Sequence, residues 1–83
     1  MITPEQLSLI EKEHQIAATV SGKSLVELRR LRDQARRKGS DEALRRRIAD
    51  AVSCHEHDLA KLNVCRQRLS AAMKEIKKQY RGR

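Results

Sequence analysis

The residues of this chain with chemistry to offer stand near its middle. Cys54, His55, His57 and Asp58 fall within five positions of one another. Cys54 and His57 are one helical turn apart. A thiol beside an imidazole can serve as an activated nucleophile or supply two metal ligands. Little else in the chain supports either chemistry. No paired Cys-x-x-Cys spacing is present, and the other thiol, Cys65, lies three turns further on. The run Val20-Ser21-Gly22-Lys23-Ser24 ends like a phosphate-binding loop. The first glycine of such a loop would stand at position 17, which is Ala17, and no strand pattern precedes it. The expectation is a non-enzymatic chain with no catalytic residue, no metal and no cofactor. Cys54, His55, His57 and Asp58 remain candidates for a polar site.

Charge points elsewhere. The chain of 83 residues carries 19 Lys and Arg against 11 Asp and Glu, a net charge of +8. The charge is blocked. Residues 1–21 carry net −2, residues 22–47 net +6, residues 48–65 net −2 and residues 66–83 net +6. The first basic block holds Arg29, Arg30, Arg32, Arg36, Arg37 and Lys38, then Arg45, Arg46 and Arg47. The second is a tail with Lys74, Lys77, Lys78, Arg81 and Arg83. Guanidinium groups take phosphate or carboxylate in bidentate fashion, so the expected partner is an anionic macromolecule, either nucleic acid or an acidic protein face. One Tyr and no Phe or Trp argue against stacking of bases on an aromatic platform. Nucleic-acid binding would rest on phosphates.

The elements that must position these groups are helical. Ala, Leu, Arg, Glu, Gln and Lys dominate, all good helix formers, and no alternating strand pattern is visible. From Ser40 to Tyr80 there is neither Gly nor Pro. Leu44, Ile48, Ala51/Val52, His55, Leu59, Leu62, Cys65, Leu69, Met73, Ile76 and Tyr80 recur with a mean step of 3.6, the period of a straight amphipathic helix. Within it Cys54 and Cys65 would stand about 16 Å apart, beyond disulfide reach. Reduced thiols, with no visible signal peptide or membrane span, lead to the expectation of a cytoplasmic protein.

Ahead of the long helix, Thr3, Pro4 and Gln6 read as a capping box, with Ile2 and Leu7 as a staple. A helix over about 4–20 should falter at Ser21-Gly22. Ser24 and Glu27 suggest a fresh start, giving a second helix over about 25–38. Gly39 should supply a left-handed C-cap and Ser40 the cap of the long helix, about 41–80, followed by a basic tail over 77–83.

Folded at Gly39, paired positions should add to about 79. Ala35 then meets Leu44, Leu31 meets Ile48, Val20 meets Leu59, Ala17 meets Leu62, and Ile10 meets Leu69. Apolar faces apolar along the chain. The predicted fold is an all-α antiparallel helical hairpin, with two short N-terminal helices packed along one long C-terminal helix. It should carry a basic tip and a mid-rod polar gap where Ser21–Ser24 faces Cys54–Asp58. Asp58 would need a partner within the stripe, and His55, one turn away, is the candidate. So thin a core leaves Leu9, Ile16, Val26 and Val52 uncovered. A homo-oligomer, such as a dimer forming a helical bundle, is therefore expected.

Overall fold

The computed structural model describes residues 1–39 and 41–81. They form two helices, α1 (Pro4–Lys38) and α2 (Glu42–Arg81), packed as an antiparallel hairpin. The hairpin is a rod of 63 × 16 × 13 Å. No strand occurs among the described residues.

The start of α1 follows from its sequence. Thr3 Oγ1 accepts from the Gln6 backbone N–H at 3.2 Å, and Gln6 Oε1 accepts from the Thr3 N–H at 3.0 Å. Pro4 occupies the first helical position, where its missing N–H costs nothing.

The expected break at Ser21–Ser24 does not occur. One helix of 35 residues replaces the two short ones. Ser21 Oγ donates to the Ala18 carbonyl at 3.2 Å and Ser24 Oγ to the Ser21 carbonyl at 3.0 Å, so both hydroxyls are satisfied within the helix. Keeping Gly22 inside a helix costs about 1 kcal/mol. Interrupting the helix would create two further ends, each with four unsatisfied backbone groups. Continuity is the cheaper solution, and Ser21 is small enough to be buried against α2.

The turn also differs from expectation. Gly39 has φ +77° but ψ 171°. Its φ demands glycine, while its ψ places it in the extended region rather than the left-handed helical one. The expected cap Ser40 lies outside the described residues. Asp41 caps α2: its Oδ1 accepts from the Leu44 N–H at 2.8 Å, and its carbonyl accepts from the Arg45 N–H at 3.0 Å.

The core is a narrow seam. Leu31, Leu44, Leu62 and Ala72 are buried, with Ser21 among them. Apart from Leu25, Asp33, Gln34 and Val52 on its flanks, the half-buried or buried positions run 7, 10, 14, 17, 21, 24, 28, 31, 35 on α1. On α2 they run 44, 48, 51, 55, 58, 62, 65, 69, 72, 76, 79. The steps alternate between three and four, a period of 3.5 rather than the expected 3.6. This is the repeat of a coiled coil. The correction falls on three residues: Leu59, Met73 and Tyr80 leave the stripe, at 40 %, 52 % and 77 % exposure, and Asp58, Ala72 and Gln79 take their places. Leu59 and Val20 thus do not meet as seam partners; Asp58 and Ser21 hold that level. The pairing rule survives, since each of the nine seam positions of α1 finds its complement to 79 on the seam of α2.

Candidate functional site at the basic tip

All nine predicted tip residues, Arg29, Arg30, Arg32, Arg36, Arg37, Lys38, Arg45, Arg46 and Arg47, are exposed around the turn. Their helical origin divides them. Arg29, Arg32 and Arg36 share one stripe of α1 by their three- and four-residue spacing. Arg30, Gln34, Arg37 and Lys38 line a shallow depression of about 240 Å³ on another. At the turn itself Gln34, Lys38, Asp41 and Arg47 border an open cleft of about 500 Å³. Lys38 leaves α1 and Arg47 enters α2 on the two walls of that cleft, so both arms bring positive charge to one place.

Arg30 and Arg32 both meet neighbouring carboxylates on α1. Arg30 grips Glu27 with two hydrogen bonds, Nε to Oε2 at 3.0 Å and an NH2 to Oε1 at 2.6 Å. That contact holds the Glu27 carboxyl below its ordinary range and raises the Arg30 guanidinium. Arg32 stands 3.7 Å from the Asp33 carboxylate. Both pairs are solvent-exposed, so neither fixes its arginine strongly.

The second cationic element is a continuation of α2. Lys74, Lys77, Lys78 and Arg81 are helical and exposed, and Arg83 lies outside the described residues. Alongside it runs the acidic first half of α1. Arg68 reaches across to Glu13 at 3.4 Å.

The mid-rod residues do not converge. Cys54 and His57 are exposed, while His55 and Asp58 are half-buried in the seam. His55 does not turn to Asp58. Its Nδ1 lies 2.7 Å from Ser24 Oγ on the other helix. No hydrogen bond or ion pair to Asp58 occurs among the described residues. The second thiol, Cys65, and His14 both occupy seam positions, and both thiols are free. Among the described residues no group of three or more His, Cys, Asp or Glu side chains could hold a metal ion.

One surface feature was not predicted as a unit. Two apolar depressions, of about 540 and 660 Å³, lie on one side of the rod and share Glu13 and Arg68. Leu9, Ile16 and Val20 form one wall, and Val64 with Ala60 and Ala71 the other. The sequence signal was the i, i+7, i+11 spacing of Leu9, Ile16 and Val20, a second apolar stripe beside the seam. Val52, expected as an uncovered edge, is instead half-buried.

No described helix is long and apolar enough to cross a membrane. Comparison with family models, with curated proteins and with solved structures finds no match for this chain.

Proposed function

We propose that this chain is a small non-enzymatic regulator or adaptor that binds an anionic macromolecule through its arginine-rich tip. The observation that supports it is the exposure of nine cations, eight arginines and Lys38, around a single turn. Such a density of charge on one end of a rod raises the local concentration of phosphate or carboxylate groups and steers their approach. The Lys74–Arg81 segment provides a weaker second contact. A cytoplasmic location belongs to the same reading, in keeping with two free thiols.

The test is a titration with duplex DNA, structured RNA and poly-glutamate at several salt concentrations. Binding to nucleic acid with a steep logarithmic salt slope identifies phosphates as the partner. Binding to poly-glutamate alone identifies an acidic protein face. Replacing Arg36, Arg37, Arg45, Arg46 and Arg47 with Glu should abolish the binding while helicity by circular dichroism persists. Binding unchanged by those substitutions overturns the proposal.

A second reading is a helical interaction module that self-associates and has no nucleic-acid role. Uncovered Leu9, Ile16 and Val26 favour it.

A further inference from the structure

The rod is too open for a chain of its size. It exposes 6807 Å², whereas a compact monomer of 9.6 kDa exposes about 5,100 Å². The excess is about twice what one partner buries in a standard interface, roughly 800 Å². Four of the nine exposed large hydrophobic residues, Leu9, Ile16, Val20 and Val64, gather on one side of the rod as the walls of the groove.

This groove occupies only the half of the rod away from the turn. On α2 it extends from His57 to Glu75, and its two depressions join where they share Arg68 and Glu13. By helical spacing the same side of the rod continues toward the turn through Lys23, Glu27, Arg30 and Arg37 on α1, and Asp50 and Arg47 on α2. That half is polar and strongly basic.

We infer that the groove is the interface for a second copy of this chain, packed face to face and antiparallel, with the two-fold axis at the Glu13–Arg68 pair. Two observations carry this orientation. An antiparallel overlap covers the two apolar halves and leaves each basic half free; a parallel one would stack the tips, with nine cations each, against each other. Around Arg68, Lys61 lies seven residues before and Glu75 seven residues after, both on the groove. The two-fold therefore sets Lys61 of one copy against Glu75 of the other, about 10 Å either side of the axis. A parallel packing, in which facing numbers add to 81, sets Arg68 against Glu13 of the other copy but leaves Lys61 against Val20 and Glu75 against Gln6. On α1 the same axis brings Ile10 against Ile16 and Leu9 against Ala17. The charges on the axis itself are already neutralised within each copy, Glu13 by Arg68 at 3.4 Å.

The resulting particle would be a long four-helix rod, in its overlap, with a basic tip at each far end. It could bridge two anionic sites. This rests on the self-association reading and does not depend on what the tip binds.

The experiment uses the whole chain. Equilibrium sedimentation at micromolar concentration should give twice the 9.6 kDa monomer mass. Lys61→Glu or Glu75→Lys alone should weaken association by ~10-fold or more, and the double exchange should restore it to near the parent value. Both positions are exposed, so folding is checked simply by unchanged helicity. Spin labels at Asp50→Cys, in a background with Cys54→Ser and Cys65→Ala, should lie about 54 Å apart, twice the rise from residue 50 to residue 68. A monomer at every concentration overturns both the self-association reading and this inference. A dimer whose labels lie within about 25 Å, the spacing of a parallel bundle, or whose double exchange fails to restore association, overturns the antiparallel interface alone.

Discussion

Ser24 on α1 and His55 on α2 stand 2.7 Å apart, hydroxyl oxygen to Nδ1, across a seam that is otherwise largely aliphatic. Their numbers add to 79, as do those of every seam pair. Ser24 already donates its one proton to the Ser21 carbonyl at 3.0 Å. Both contacts coexist only when Nδ1 carries a hydrogen and donates to the hydroxyl. The serine thus ties the helix to itself and to its neighbour with one oxygen.

This tie should be measurable. Ser24→Ala leaves a half-buried imidazole N–H without its partner and should cost about 1 kcal/mol in chemical denaturation. Ser24→Ala with His55→Leu removes both polar groups and should recover that loss. A double variant as unstable as the sum of its parts would show that the contact carries no coupling.

The 3.5 period makes a sharper forecast. Leu31→Ala and Leu62→Ala, at buried seam positions, should each cost about 2–4 kcal/mol. Leu59→Ala and Met73→Ala should cost under about 1 kcal/mol, because both residues have rotated out of the seam. Thermal or urea unfolding of the four variants separates the two periods.

Asp58 holds a seam position opposite Ser21 with no partner for its carboxylate among the described residues. Asp58→Ala should stabilise the hairpin by about 1 kcal/mol, through removal of a half-buried charge and a gain in helix propensity. A loss of stability would mean the carboxylate finds an interaction in solution.

The two glycines should respond in opposite directions. Gly22 is helical, and a Cβ there meets nothing within 4 Å. Gly22→Ala should therefore add about 0.5–1 kcal/mol. Gly39 also has space around it, but its φ of +77° strains any other residue, and Gly39→Ala should cost about 1–3 kcal/mol. Asp41→Ala should cost about 1 kcal/mol by removing the cap of α2.

At the tip, Glu27→Gln frees Arg30 from its two hydrogen bonds and removes one negative charge. Polyanion affinity should rise by about two-fold in a salt titration near neutral pH. Because Arg30 holds the Glu27 carboxyl below its ordinary range, the pair is intact at neutral pH and is lost only as pH falls through that lowered value. Parent and variant should therefore converge in acid. A difference that persists there would assign the effect to something other than the Glu27 charge.

Much of this molecule was legible from residue types and their local order. The capping box at Thr3 and Gln6, the turn at Gly39, the two-arm hairpin and its pairing about 79 all follow from groups that act on neighbours a few positions away or from patterns summed over many turns. The concentration of arginine at the turn is likewise a property of the chain order. Whether Ser21–Ser24 would interrupt the helix was decided by packing, because local propensity differs there by about 1 kcal/mol, less than the backbone hydrogen bonds an interruption forfeits. The choice between Leu59 and Asp58, or Met73 and Ala72, was likewise out of reach of periodicity. The two candidates are adjacent in sequence, and over forty residues steps of 3.5 and 3.6 differ by a single position. Only two helices coiling about each other select the shorter repeat, burying Ala72 at 1 % exposure and leaving Met73 outside. The same coiling brought Ser24 to His55 rather than His55 to Asp58.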